Sequence, residues 1–206
     1  MAIIRQYKLK IILGLMLCMM SITICAKDEF RIIDYRLGLN SSTINHIVFD
    51  KQGFAWLSTP DGIIRYDGVL FYPYTHQSGN DHSLYNNNVI KTLPATCGMW
   101  IGAGNALQYY DYHTGKFYIE QYIDSNGKVS KINQDRIISL FRLGDKIFAT
   151  DNKGYMYGKQ EDEQFFSLLQ KGVYSLCPIG KSKMAGLRKK RTLSFLRRWQ
   201  KGPRRL

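Results

Sequence analysis

Short runs of aliphatic, aromatic and threonine residues, separated by turns that contain glycine, make up most of the chain after its first 27 residues. The first four runs are Ile47–Asp50, Ala55–Thr59, Ile63–Tyr66 and Leu70–Tyr74. The turns KQG, PDG and DG divide them, and such turns suit tight hairpins because glycine tolerates positive φ. No convincing 3.6-residue period occurs between the N-terminal apolar segment and the C-terminal tail. The pattern therefore predicts an all-β protein.

The same pattern recurs at intervals of 45, 48 and 36 residues. The copies begin at Ile44 (INHIVFDKQGFAWLSTPDGIIRYDG), Val89 (VIKTLPATCGMWIGAGNALQYYD), Ile137 (IISLFRLGDKIFATDNKGYMYGK) and Val173 (VYSLCPIGKSKMAG). Four short strands in each unit of about 45 residues are typical of β-propeller blades. We expect a partial β-propeller of about three four-stranded antiparallel blades and the start of a fourth, with the ring not closed.

Each copy repeats a few anchor residues, for which we predict structural roles. The aromatic residue of the second strand is Trp56, Trp100 or Phe148. We interpret it as an apolar wedge that packs on the next blade, because one blade cannot bury both faces of its sheet alone. The alternative is that the tryptophans line a sugar-binding platform. The remaining anchors mark hairpins and strand ends: Asp61, Gly62, Gly104, Gly154, Tyr66, Asp67, Tyr110 and Asp111.

These motifs resemble a known family. The segments GLNSSTINHIVFDKQGFAWLSTPDGIIRYDG, LFYPYTHQSGNDHSLYNNNVI and MWIGAGNALQYYDYHTGKF resemble the two-component regulator propeller repeat. That repeat occurs in periplasmic N-terminal sensor regions of hybrid two-component histidine kinases, especially from Bacteroides-type bacteria. The resemblance covers roughly residues 30–186. It departs from the family pattern at Ser58, Pro60 and Ala103, where Gly-Thr and Gly-Gly are usual.

The resemblance implies an N-terminal fragment of a periplasmic sensor that binds a ligand non-covalently. The ligand would be a glycan breakdown product, and signalling would occur only in the intact protein. We expect no enzymatic activity, because the kinase modules of the family are absent from the sequence. One alternative is a free-standing exported interaction module with a membrane- or partner-binding tail. Another is a propeller-type glycan hydrolase, which would need two carboxylates about 5 to 10 Å apart.

The N-terminus predicts export to the periplasm. Arg5, Lys8 and Lys10 precede an apolar run over residues 11–25, which is the pattern of a signal peptide. We therefore predict a signal peptide over residues 1–26 and the sensor region over residues 27–186. An uncleaved membrane anchor is the alternative. The segment at residues 30–37 (FRIIDYRL) also reads as a terminal strand of a blade.

The basic character of the chain belongs to its tail. The chain has 29 basic and 16 acidic residues, a net charge of +13, and 11 of the basic residues lie between Lys181 and Leu206. We interpret residues 187–206 as the product of a reading-frame break that truncates the chain, which would leave the tail non-native or disordered. The alternatives are an amphipathic helix through Leu193, Leu196 and Trp199 on a membrane or partner, and a nucleic-acid tail. Because an exported protein does not ordinarily meet nucleic acid, no nucleic-acid partner is expected.

No cofactor or metal site is predicted. The histidines His46, His76, His82 and His113 lack paired ligand spacing. The turn acids Asp50, Asp61, Asp67, Asp111 and Asp151 are expected to accept hydrogen bonds from nearby backbone, and Cys97 and Cys177 to be separate thiols. The expected partners are a periplasmic glycan and a second copy of the chain, which would bind through open blade edges. The sequence does not specify which residues contact a ligand.

Overall fold

The structure is a computed structural model that describes residues 38–179, the backbone of Lys183–Arg188 and Leu193–Leu196, and Tyr7 and Lys10 near the N-terminus. Side chains are described as far as Val173. The predicted signal peptide, the predicted strand at residues 30–37 and most of the tail lie outside this part. The chain divides into two units, residues 1–32 and 33–206, and the described strands belong to the second. No helix in the described part is long and apolar enough to cross a membrane.

The strands group into four sheets, which we call blades 1 to 4. Blade 1 contains β1 (His46–Phe49), β2 (Ala55–Thr59), β3 (Gly62–Tyr66) and β4 (Phe71–Tyr74). Blade 2 contains β5 (Val89–Pro94), β6 (Gly98–Ala103), β7 (Ala106–Asp111) and β8 (Lys116–Ile119). Blade 3 contains β11 (Ile137–Leu143), β12 (Lys146–Asp151), β13 (Met156–Gln160) and β14 (Phe166–Gln170). Blade 4 contains β15 (Val173–Ile179), β16 (Lys183–Arg188) and β17 (Leu193–Leu196).

The blades follow one another as in a propeller. Within each blade, consecutive strands pair antiparallel in chain order. The first strand of every blade contacts the first strand of the next: β1 contacts β5, β5 contacts β11, and β11 contacts β15. The predicted partial β-propeller is therefore confirmed, and its ring is not closed by the described strands. The four strands predicted for blade 1 agree with β1–β4 to within one residue at each end.

An inserted hairpin between blades 2 and 3 was not predicted. It consists of β9 (Gln121–Ile123) and β10 (Val129–Lys131), and β9 pairs parallel with β14, so that the sheet of blade 3 has six strands. The hairpin lies between two repeat copies, and for this reason a search for recurring units passes over it. The Asn126-Gly127 pair, with Gly127 at φ +78°, is the local signal for its turn.

The described part of the tail is a strand where one sequence alternative placed an amphipathic helix. Leu193–Leu196 forms β17, which pairs antiparallel with β16. The open edge of β16 offers unpaired backbone groups, and an extended segment satisfies them in a way that a helix cannot. Among the described residues, blade 4 therefore extends to Leu196.

The three aromatic wedges lie between blades. Trp56, Trp100 and Phe148 stand on the second strands of blades 1 to 3 and are 0, 1 and 2% exposed. Because side chains alternate along a strand, each wedge defines one face of its blade, the wedge face. The residues just before and after the wedge in the same strand point to the opposite face, which we call the receiving face. Trp56 packs on the receiving face of blade 2, and Trp100 packs on that of blade 3.

Aspartate turns hold the aromatic residues in place. Asp50 Oδ1 accepts hydrogen bonds from the backbone N–H groups of Gln52 and Phe54, at 2.9 and 3.0 Å. Its Oδ2 accepts the indole N–H of Trp56 at 2.8 Å and the hydroxyl of Tyr112 at 3.3 Å. The Oδ1 atoms of Asp67, Asp111, Asp124 and Asp151 accept backbone N–H groups in the same manner. Turn formation therefore accounts for four of the five acids singled out in the sequence, while Asp61 contributes a backbone N–H that donates to Thr59 Oγ1.

Replacing Asp50 with alanine should destabilise the fold by about 3 kcal/mol, because it leaves the buried Trp56 N–H and its neighbours without an acceptor. The matched control is Asp67→Ala. Asp67 also accepts two backbone N–H groups and a tyrosine hydroxyl, but in an exposed turn where water replaces it. Urea denaturation followed by tryptophan fluorescence measures both variants. Equal effects of the two substitutions would contradict the role of the buried carboxylate.

Candidate ligand cavities on the connection face

One end of the blades carries all the inter-blade connections, and we call it the connection face. At this end the first strand of each blade begins, and the turn between the second and third strands of each blade lies there as well. In blade 2 the face consists of residues 75–88 and 104–105, and in blade 3 of residues 120–136 and 152–155. Backbone bonds join the two parts in each blade, from Gly104 N to Asn88 O at 2.8 Å and from Asn152 N to Arg136 O at 2.9 Å.

The structure does not bring the anchor residues to either ligand cavity. Gly62, Gly104 and Gly154 lie in its hairpins, with φ of +129, +56 and +84°. A Cβ on Gly104 would lie 2.7 Å from Asn86, so this glycine allows the hairpin and the connection to meet. Tyr66, Asp67, Tyr110 and Asp111 end their third strands at the opposite edge. Neither cavity described below is lined by any of these anchors.

The first cavity has a volume of about 680 Å³, which is within the usual range of small-ligand sites. Residues 76–86 form one wall, and the end of β8 with Gln108 forms another. Leu84 and Phe117 are buried beneath it. Tyr85 and Tyr118 are 37 and 40% exposed, so that both rings are accessible.

Side-chain hydrogen bonds hold the wall of the first cavity. Gln108 Oε1 accepts from Tyr85 N at 2.7 Å, and its Nε2 donates to Ser83 O at 3.2 Å. Ser83 Oγ accepts from Gln77 N at 3.0 Å and donates to Asn80 O at 2.8 Å. Because the loop satisfies its polar groups internally, the cavity is formed before any ligand binds.

The lining of the first cavity combines apolar surface with polar groups and carries little net charge. It includes the amide and hydroxyl groups of Asn80, Ser83 and Asn86, and the ionised groups of Asp81 and Lys131. The His82 ring meets the Tyr118 ring edge-on at 5.2 Å. Such a set of groups suits a neutral ligand with many hydroxyl groups and an apolar ring face.

The second cavity, of about 300 Å³, lies beside the inserted hairpin. Three tyrosines line it, Tyr122, Tyr155 and Tyr157, and Lys171 lies 5.1 Å over the Tyr155 ring. Its acids are already engaged: Asp135 pairs with Lys153 at 2.9 Å, and Asp151 accepts from two backbone N–H groups and from Tyr157 at 2.9 Å. Burial raises the pKa of Asp151 and that of the Tyr157 hydroxyl. Lys131 lines both cavities, which therefore adjoin each other.

A buried ion pair fixes the base of the hairpin that separates the cavities. Lys159 Nζ lies 3.1 Å from Glu120 Oε2, and the two side chains are 6 and 11% exposed. The other carboxylate oxygen accepts the Trp100 N–H at 3.3 Å. Burial raises the pKa of Glu120, while the charge of Lys159 opposes this shift. The pair therefore joins blade 2, blade 3 and the connection between them.

The arrangement favours non-covalent binding. No group of histidine, cysteine, aspartate or glutamate side chains suited to a metal ion occurs in the described part of the chain. Cys97 is a free, exposed thiol, while the side chain of Cys177 lies outside the described residues. The cavity-lining tyrosines that the sequence did not identify are Tyr85 and Tyr118. The polar run THQSGNDHSLYNNN between two strands, longer than an ordinary hairpin, is the signal that could have located Tyr85. Tyr118 lies outside this run, on β8.

Comparison with known proteins gives structural likeness only. No family model matches the sequence, and no curated protein matches it. The chain resembles an extracellular domain assigned to the hybrid two-component system BT3049 of B. thetaiotaomicron, with 20% identity and a TM-score of 0.65 over 81% of this chain and 25% of that one. It also resembles an extracellular domain assigned to the one-component system BT4673 of the same organism, with 14% identity and a TM-score of 0.58 over 82% and 28% of the two chains.

A third likeness is to the computationally designed Ika4 protein, with 16% identity and a TM-score of 0.54 over 84% of this chain and 99% of that one. At these identities the comparisons show a shared fold. The chain spans about a quarter of the length of the two B. thetaiotaomicron domains. The resemblance to the two-component regulator propeller repeat rests on the sequence motifs.

Removing one member of the Glu120–Lys159 pair should destabilise the fold by about 3–5 kcal/mol, because the other charge is left buried and unpaired. We expect this loss for Glu120→Gln and for Lys159→Met measured separately. The double variant should lose much less than the sum. A double-mutant cycle from urea denaturation gives the coupling, and additive losses would contradict a buried pair.

Proposed function

We propose that this chain belongs to the ligand-sensing extracellular region of a two-component regulator, and that it binds a glycan breakdown product in the first cavity. The shared fold with extracellular domains of B. thetaiotaomicron supports the class. The predicted signal peptide supports a periplasmic location. The observation that carries the proposal is the preformed cavity of about 680 Å³ with two accessible tyrosines.

The chemistry of the cavity favours a neutral sugar. A sugar ring has an apolar face that can stack on Tyr85 or Tyr118, and its hydroxyl groups can exchange hydrogen bonds with Asn80 and Asn86. The acids of the second cavity accept bonds from backbone or pair with lysine, which favours recognition over hydrolysis there. Signal transfer would need segments beyond this one, because the two B. thetaiotaomicron domains are about three times as long as this chain.

Isothermal titration calorimetry of the purified chain against neutral oligosaccharides tests the proposal. We expect saturable binding, and a loss of about tenfold or more in affinity for Tyr118→Ala and Tyr85→Ala, as for aromatic residues at the centre of a binding site. Tyr72→Ala is the matched control, because Tyr72 is 36% exposed and lines neither cavity.

Two results would overturn the assignment. One is the absence of binding by a folded chain across the oligosaccharides. The other is binding that both cavity variants leave intact, which would place the ligand elsewhere on the molecule. Circular dichroism of each variant establishes that the blades remain folded.

A further inference from the structure

The carboxylates that line the second cavity already have hydrogen-bond partners within the chain. Asp135 pairs with the ammonium group of Lys153 at 2.9 Å. Asp124 and Asp151 each accept two backbone N–H groups at 2.8 to 3.0 Å, and Asp151 also accepts the Tyr157 hydroxyl at 2.9 Å. The strongest acceptors of the cavity are therefore occupied before any ligand binds.

The donors of the same cavity are open. Lys131 and Lys171 line it and form no ion pair with another residue in the described part of the chain. The ammonium group of Lys171 lies 5.1 Å from the centre of the Tyr155 ring. The side-chain amides of Asn133 and Gln134 also form no hydrogen bond with the residues that the structure describes. Two cations and two amide groups are thus available, and a negatively charged group is the partner that ammonium donors bind most strongly.

Tyrosine rings add an apolar surface to this set of donors. The centres of the Tyr122 and Tyr157 rings are 5.2 Å apart, and those of Tyr155 and Tyr157 are 6.5 Å apart with planes at 21°. All three rings line the cavity. Its volume of about 300 Å³ is at the lower end of the usual range for small-ligand sites, which suits a molecule of one ring.

Backbone hydrogen bonds fix the walls of the second cavity. In the inserted hairpin, Asp124 N donates to Lys128 O at 3.1 Å, and at its base Ile132 N donates to Glu120 O at 2.8 Å. On the blade 3 side, Gly154 N donates to Asp151 O at 3.1 Å. A ligand therefore meets walls that are already ordered, which lowers the conformational cost of binding.

We propose that the second cavity binds a sugar acid, which is a single sugar ring that carries one negative charge. The anionic group would pair with the ammonium groups of Lys131 and Lys171, and the ring would pack on the tyrosines. A carboxylate and a sulfate ester share this chemistry. The three aspartates in the lining disfavour a ligand with several negative charges, because like charges repel one another. The proposal does not depend on occupation of the first cavity.

Isothermal titration calorimetry of the full chain with glucuronate, glucose 6-sulfate and glucose tests the proposal. We expect at least one of the two anions to bind at least about tenfold more tightly than glucose, since charge-assisted hydrogen bonds are stronger than neutral ones. The tighter anion distinguishes a carboxylate ligand from a sulfate ligand. Raising the NaCl concentration from about 0.02 M to about 0.5 M should weaken anion binding, because salt screens the lysine charges.

Lysine variants locate the site. Lys171→Met and Lys131→Met should each weaken anion binding by about tenfold, because each removes a charged donor and keeps most of the side-chain length. Lys128→Met is the matched control. Lys128 is an exposed lysine in the turn of the inserted hairpin and lines neither cavity, and its loss lowers the net charge of +13 by the same amount. Circular dichroism establishes that each variant is folded.

Two outcomes would overturn the proposal. One is that neither anion binds more tightly than glucose. The other is that Lys171→Met and Lys131→Met weaken anion binding no more than Lys128→Met does, which would indicate a general attraction of anions to a basic chain. Both outcomes are distinguishable from failure of the neutral-sugar proposal, which is tested with neutral oligosaccharides and with Tyr85 and Tyr118, residues that line only the first cavity.

Discussion

The fold depends on the contact between the wedge face of one blade and the receiving face of the next. A four-stranded sheet cannot bury both of its faces by itself, so every blade requires a neighbour on each side. Trp56 and Trp100 fill two of these interfaces, between blades 1 and 2 and between blades 2 and 3, and their side chains are almost completely buried. On blade 1, where no preceding blade lies among the described residues, Ile47 and Phe49 are exposed.

The large aromatic wedges bring polar groups into the interior, and carboxylates supply the partners. The Trp56 N–H donates to Asp50 and the Trp100 N–H to Glu120, while Phe148 has no polar group to satisfy. In blade 3 the position that corresponds to Tyr110 is Lys159, whose charge is balanced by Glu120. Each blade interface therefore combines apolar packing with a small polar network, and a buried network is favourable only when all of its members are paired.

The candidate site is a consequence of how blades are connected. The segment that leaves one blade must cross the connection face before the next blade begins. A longer segment can supply more residues that line a cavity. His76 and residues 80–86 line the first cavity, and residues between Tyr122 and Asp135, which include part of the inserted hairpin, line the second. The blades themselves are rigid supports, whereas the connections carry the groups that face a ligand.

The sequence by itself determined the strands, their hairpins and the recurrence of the wedge, because these follow from local alternation and from glycine turns. It could not reveal that Tyr85 and Tyr118 line one cavity, since they lie 33 residues apart and share it only when blade 2 packs beside the connection. Nor could it reveal that Lys159 faces Glu120, because a lysine in a strand is ordinarily a solvent-exposed residue. Local chemistry determines each blade, and only the packing of one blade on the next decides which distant side chains share a cavity or a buried charge pair.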